Sequence, residues 1–309
     1  MNFQAPTSKL FFQPWYDIDL PQRVADVPAL LNRFEKRLLY YVAKERYLGK
    51  GAIVDAGCFA GGSTVSLAVG LADNERKIDK AQKIVTYDRF VLDDSMRRSE
   101  RINKELRGAT TDDEFYGQFR HNTAGLEHLF RLEKGDLLDK RWDGEPVEIL
   151  FLDIAKNWDL MRWSMEHHFS ALYPGAILIH QDFADSGHYW LPFVMAYLRD
   201  YFDVVEYMEP CTVIYICRAA IPNDVIQVDL LKTLSLAEAL ALHNSLKPNL
   251  SALRQAMLDI QACYLCRWYG DNEMALTLLR EAKARYAGLP RFVGDIKAAE
   301  RSFGLVEAV

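Results

Sequence analysis

Five carboxylates occupy equivalent places in the chain, each closing or directly following a short apolar run. Asp55 ends AIVD, Asp88 ends KIVTYD, Asp136 ends LEKGD, Asp153 ends EILFLD and Asp182 ends ILIHQD. Acids so placed can accept hydrogen bonds from a bound molecule or exchange a proton with it. They also cap the helices that follow strands, which accounts for two or three of them. All five, beside a glycine-rich turn, describe a ligand site. That turn is VDAGCFAGGST, residues 54–64. A dinucleotide fingerprint needs glycines at 57, 59 and 62, and residue 59 is Phe; a phosphate-cradling loop needs a Lys, and the turn has none. What remains is a loop whose backbone can approach a ligand closely, with Ser63 and Thr64 placed to cap the next helix. Asp88 is suited to accepting from ribose hydroxyls.

These residues need elements to hold them. Residues 27–47 carry apolar side chains at helical spacing (Leu30, Leu31, Phe34, Leu38, Leu39, Val42), which predicts one amphipathic helix. The runs 51–57, 83–88, 130–136, 147–153 and 175–182 read as near-continuous apolar strands alternating with helices, the signature of a parallel sheet buried on both faces. The runs 202–208 and 211–218 are separated only by Glu209-Pro210, too short for a crossover helix, so they form an antiparallel hairpin. The predicted fold is α/β, a doubly wound, Rossmann-like mixed sheet of five parallel strands plus that hairpin, with an α-helical C-terminal appendage. The predicted divisions are an N-terminal arm over 1–25 (with Pro6, Pro14 and Pro21), a main domain over 26–222 and a helical tail over 223–309. Within the tail, 250–269 and 272–286 meet at Gly270-Asp271 and look like one tetratricopeptide-type hairpin. A single such unit cannot bury its own apolar face, so it must pack on the main domain or on a second copy of the chain.

On these residues the chain resembles the class I S-adenosylmethionine-dependent methyltransferases. VDAGCFAGGSTVSLA looks like their first motif, KIVTYD like their second strand with its ribose-binding acid, and the strand order with terminal hairpin like their sheet. The resemblance covers about residues 50–218. It implies that Asp55, Gly57 and Gly61, with Ser63, line the methionine and ribose parts of the cofactor, that Asp88 holds the ribose hydroxyls, and that Asp136 lies near the adenine.

The stretches FLDIAK (151–156) and LIHQDF (178–183) further resemble the metal-assisted O-methyltransferases of the catechol and macrolide-sugar types. By that resemblance Asp153, Gln181 and Asp182 would hold a Mg²⁺-like ion, and Lys156 would be the general base. A hard cation takes oxygen ligands and leaves room for an acceptor's hydroxyls, whose pKa it lowers. Gln181 departs from the pattern, since those families usually carry an acid there. His180 is an alternative base; strand alternation turns it the same way as Asp182 and opposite to Gln181.

Other side chains read as structural. His167-His168 sit on a helix without metal spacing, as surface residues; Cys263-x-x-Cys266 lies within an amphipathic helix as core. Arg120-His121-Asn122 belong to a segment that is either a lid or an ordinary helix. Trp158, Met161 and Trp163 pack helix on sheet, with Trp158 near enough to touch a substrate.

The chain has 309 residues and a net charge of −6, with five scattered cysteines. No overall positive field draws it to nucleic acid, and its longest apolar runs fall far short of the roughly 18 residues of a membrane span. The opening residues carry no basic leader followed by an apolar stretch, so a cytoplasmic protein is expected. The expected activity is O-methyl transfer to a small molecule (a sugar, glycan or phenol), with possible homo-oligomers through the tail. Two other readings stay open: a nucleotide-cofactor oxidoreductase, against which Phe59 stands, and a non-catalytic interaction protein using the tail, which Gln181 favours.

Overall fold

The computed structural model of the chain describes residues 15–142, 144–208, 211–290 and 292–305. Most of the expected N-terminal arm, with Pro6 and Pro14, lies outside the described residues, as does the Glu209-Pro210 link. Seven strands form one sheet: β1 (Ala52–Ala56), β2 (Ile84–Asp88), β3 (Phe130–Lys134), β4 (Val147–Leu152), β5 (Leu172–His180), β6 (Phe202–Met208) and β7 (Thr212–Cys217). Their order is β3-β2-β1-β4-β5-β7-β6, with β1 to β5 parallel and β7 antiparallel to both β5 and β6. The architecture is the predicted one, a doubly wound mixed sheet.

Apolar side chains on both faces explain why these runs are strands. Every residue of β1, β4 and β7 is buried. Alternation sends Ile53, Ile149 and Ile177 into one core with Leu39 and Val65. Val54, Leu150 and Leu178 enter the other, with Met161, Phe193 and Leu258. Chain order reverses beside β1: β2 and β3 lie to one side, β4 and β5 to the other. Such a switch leaves a crevice beyond the carboxyl ends of the strands, where ligands bind in open α/β sheets.

The first helix is shorter than predicted. It runs Arg33–Tyr41 and continues as a wider turn over Val42–Arg46. Pro28 disfavours helical backbone at the residue before it, and Asn32 sets the start as N-cap. Its side chain accepts from Phe34 N and Glu35 N, while Glu35 accepts from Asn32 N, closing a capping box.

The tail is no loose appendage. Leu230, Ala239, Leu246, Leu258 and Leu265 are buried in the same core as Phe183, Trp190 and Leu191. Beyond the predicted pair of helices, seen at Ala252–Trp268 and Asn272–Arg285, the tail adds helices at Leu236–Asn244 and Phe292–Ser302. Cys263 and Cys266 are buried there as core, and all five cysteines are free.

His168 corrects the sequence reading, because it is fully buried rather than on the surface. The helix Trp158–His167 gives way at its end to a tight turn at Phe169–Ala171, which folds His168 inward. Its ring lies 4.8 Å from Trp163 and 5.6 Å from Tyr87, and neither nitrogen finds a partner among the described residues. Burial pulls its pKa from 6.5 down to about 3, with His167 adding to the effect. The unfolded chain therefore binds a proton below pH 6.5 that the folded chain refuses, so this residue costs stability as pH falls through that range. His168→Phe keeps the ring and removes two stranded polar atoms. It should raise stability by about 1–3 kcal/mol near pH 7.5. The margin should widen toward pH 4 by up to about 1.4 kcal/mol per pH unit. Urea unfolding at pH 7.5 and 5 measures both; a destabilised variant, or a constant margin, contradicts this account of His168.

Candidate functional site

A cleft of about 920 Å³ opens at the carboxyl ends of β1 to β5. The β1 end fixes its floor. Gly57 adopts φ +102°, and a Cβ there would sit 2.9 Å from the Asp153 carbonyl oxygen. Only glycine lets the chain turn where β1 and β4 run together. Asp88, at the end of β2, accepts from Phe59 N and Phe90 N, both at 2.8 Å, which ties the two loops around it. Burial raises its pKa while the backbone bonds from Phe90 and Phe59 oppose the rise. Asp136 follows β3, caps Leu138 N at 3.0 Å and lines the same cleft. Phe59 and Phe115, whose rings pack at 5.2 Å, line the same cleft.

Three residues expected at a cofactor lie beneath the cleft instead. Asp55 is fully buried, and its Oδ2 accepts from Ser63 at 3.1 Å, Thr64 at 2.5 Å and Thr86 at 2.9 Å. Burial pushes its pKa up to about 6 against those three bonds. Through Oδ2 it joins β1 to β2 and to the helix Gly62–Ala72, with Ser63 donating to it, and neither residue lines the cleft. Gly61, at φ +92°, is covered by Thr123 and Phe119, whose atoms would lie 3.1 and 3.2 Å from a Cβ. Asn122 donates to Ala60 O at 2.7 Å, and Arg120-His121-Asn122 lie in the helix Asp112–Thr123, outside the cleft lining.

At the other end, the structure brings Asp153, Lys156, Gln181 and Asp182 together. Lys156 Nζ lies 2.5 Å from Asp153 Oδ1 and also donates to Asp182. Burial raises the Asp153 carboxyl above the usual range and Asp182 adds to it, while Lys156 opposes. Burial alone would lower the Lys156 ammonium; the two carboxylates outweigh it and hold it above the ordinary lysine value. Gln181 and Asp182 both line the cleft although they are adjacent, because Asp182 takes a left-handed φ of +56° and breaks the alternation.

His180, the last residue of β5, faces away from the cleft, opposite Gln181. It is fully buried, its Nδ1 is paired with Gln181 O at 3.2 Å, and it is absent from the cleft wall. Burial lowers its pKa to about 4. Trp158 likewise packs in the core, and Leu160 and Asn157 meet the cleft in its place.

The remaining walls were not foreseen. Asn32 and Glu35 come from the first helix, Arg101 and Ile102 from the segment after β2, and Leu253, Met257 and Asp295 from the tail. The capping spacing of Asn32 and Glu35 was legible, but nothing local marked their position over β5. Tail residue Gln261 is fully buried. Its Nε2 donates to Asp185 O at 2.5 Å and Phe183 O at 3.3 Å, and its Oε1 meets His243 Nε2 at 3.2 Å. It therefore clamps the loop that carries Gln181 and Asp182. Gln261→Leu strands two loop carbonyls and should destabilise by about 1–3 kcal/mol. Amide hydrogen exchange over residues 181–188 should accelerate well beyond that of β1; exchange unchanged in that loop would show that the clamp does not hold it.

No family model matches the chain, and no curated protein matches it. Solved structures similar to it include the O-methyltransferase NovP, at 16% identity and TM-score 0.43, covering 60% of this chain and 78% of that one. Another is the SAH-bound Podospora anserina methyltransferase PaMTH1, at 15% identity and TM-score 0.42, covering 64% and 88%. A methyltransferase from Geobacter sulfurreducens is similar at 19% identity and TM-score 0.37, covering 64% and 83%. At these values the likenesses add nothing to the topology and geometry above.

Proposed function

We propose that the protein is an S-adenosylmethionine-dependent O-methyltransferase acting on a hydroxyl of a small molecule. The observation that carries the proposal is one cleft with two chemically different ends. Gly57, Asp88 and Asp136 lie at the ends of β1, β2 and β3, while a lysine between two carboxylates lies at the ends of β4 and β5. The first end suits a nucleoside: Gly57 admits close backbone approach, and Asp88 keeps lone pairs for ribose hydroxyls. The sulfonium of the cofactor is the electrophile, and the acid-rich cleft favours its positive charge. The second end is where a hydroxyl can be held in line and deprotonated.

The donor set at that end fits a hard divalent cation such as Mg²⁺. Among the described residues no group of three or more His, Cys, Asp and Glu side chains is gathered for a metal. Asp153 and Asp182 nevertheless already converge on one positive charge, the Lys156 ammonium, with the Gln181 amide beside them. When bound, such an ion supplies charge that makes an acceptor hydroxyl easier to deprotonate. Asp153, Asp182 and Gln181 would hold it. Lys156, displaced from its two carboxylates by the added positive charge, would first give its extra proton to solvent, and the neutral amine would then have a lone pair at Nζ to take the acceptor's proton. A second reading, transfer without metal, is favoured by the ammonium already standing between the carboxylates. His180 is absent from the cleft wall, and Lys156, the other base of the sequence reading, would in that case have to lose its ammonium proton to solvent before it could accept one from the acceptor.

The acceptor would be an uncharged or cationic small molecule, since acids outnumber bases along the cleft. No helix among the described residues is long and apolar enough to cross a membrane. The free cysteines suit a reducing cytoplasm. Exposed Trp268 and Met274 offer the tail as a self-association surface.

Asp88→Ala should weaken S-adenosylhomocysteine binding by about 1–3 kcal/mol in calorimetry, the loss of bonds to two hydroxyls. In a methyl-donor consumption screen across sugars, phenols and glycosylated compounds, Lys156→Ala should lower turnover roughly 10²–10⁴-fold. Full turnover in chelator would select the metal-free reading. Cofactor binding without turnover on any acceptor would favour a non-catalytic protein, and no cofactor binding would refute the assignment.

A further inference from the structure

Glu35, Thr212 and Gln181 form a chain whose hydrogens can be counted. Thr212 is fully buried, and Glu35 and Gln181 are 3% and 9% exposed, so solvent supplies little. Thr212 Oγ1 lies 2.8 Å from Glu35 Oε1 and 2.5 Å from Gln181 Oε1. A threonine hydroxyl has one proton and cannot donate to both. Glu35 Oε2 accepts from Asn32 N at 2.7 Å, inside the capping box. Its carboxylate thus sits at the positive end of a helix, where a charged acceptor is favoured. A charge-assisted bond is the stronger one, so the Thr212 proton goes to Glu35. Gln181 Oε1 would then face a second oxygen with no hydrogen between them, in a place where burial makes the mismatch costly.

A half-turn of the Gln181 amide removes the conflict. Nε2 then donates to Thr212 Oγ1, Thr212 donates to Glu35, and Oε1 takes the side that opens on the cleft beside Asp153 and Asp182. We propose that Glu35, acting through Thr212, is a positioning residue that turns the carbonyl oxygen of Gln181 into the cleft. The Asp153–Asp182 pair is thereby completed by a third oxygen. The orientation stands on its own; its use as a cation donor rests on the function proposed above. This gives Gln181, the departure from an all-acid pattern, a defined part. An amide alone presents either an oxygen or an NH₂ group, and Glu35 selects the oxygen.

Two measurements on the full-length protein test this. In nuclear magnetic resonance of metal-free protein, the Gln181 side-chain amide protons should exchange slowly with solvent and show contacts to the Thr212 methyl. Thr212→Val, which keeps shape and loses the oxygen, should release them to fast exchange; Thr212→Ser should not. Rapidly exchanging Gln181 protons without Thr212 contacts in the unaltered chain would overturn the proposal. In electron paramagnetic resonance with Mn²⁺ as probe, Thr212→Val should bind the ion about tenfold more weakly, within the range seen when a group supporting a metal ligand is lost. Thr212→Ser should restore it, with S-adenosylhomocysteine affinity and melting temperature unchanged. Equal Mn²⁺ affinity in Thr212→Val would refute the donor role. If the unaltered chain takes no Mn²⁺, the cation reading of the function fails, and the exchange data still decide the orientation.

Discussion

Two carboxylates at the ends of neighbouring parallel strands repel each other, and burial sharpens the repulsion. Asp153 and Asp182 are held together because Lys156 reaches back from three residues after Asp153 and donates to both. Pairs of this kind, partly removed from water, are favourable only when geometry and further bonds offset the cost of desolvation. The cleft depends on that balance. With the ammonium in place the two strand ends sit side by side. A cation that replaced it would inherit the same two oxygen ligands and would free a lysine next to an acceptor.

The rest of the fold keeps that balance in register. Asp55 collects Ser63, Thr64 and Thr86 below the sheet ends and so fixes the first turn without entering the cleft. Gly57 lets that turn pass against the Asp153 backbone. The loop after β5, where Asp182 takes its left-handed backbone, is clamped from behind by Gln261 of the tail. Local strain of this kind persists only where surrounding contacts over-determine it. The tail is therefore part of the cleft: it holds the loop and supplies Leu253, Met257 and Asp295 to the lining.

The sheet was legible because β1, β2, β4 and β5 are apolar runs with an acid at or just beside their ends, and burial on both faces of β1 and β4 leaves no polar alternation to confuse them. The site was legible where it depends on strand ends: Gly57, Asp88, Asp136, Asp153, Lys156, Gln181 and Asp182 share one cleft. It was not legible where tertiary contacts decide. Glu35 meets Thr212 across 177 residues of chain, and no local spacing announces that. Period-two alternation set His180 opposite Gln181, as found, but set Asp182 on the side of His180, because it could not foresee the left-handed backbone that turns Asp182 back into the cleft. Asp55 looked like a ligand-facing acid; the structure buries it, with three hydroxyls on its Oδ2, and that clustering was not visible in the sequence.

The central claim is that the Asp153–Asp182 pair is a cation-and-acceptor site beside a nucleoside site. Crystals grown with S-adenosylhomocysteine and Mn²⁺, with anomalous scattering recorded at the manganese edge, test it most directly. The account expects the ribose on Asp88, an anomalous peak between Asp153 and Asp182 with the Gln181 carbonyl oxygen turned toward it, and Lys156 Nζ displaced into the cleft. S-adenosylhomocysteine bound elsewhere, or Lys156 still seated between the two carboxylates with no peak at saturating Mn²⁺, would contradict it.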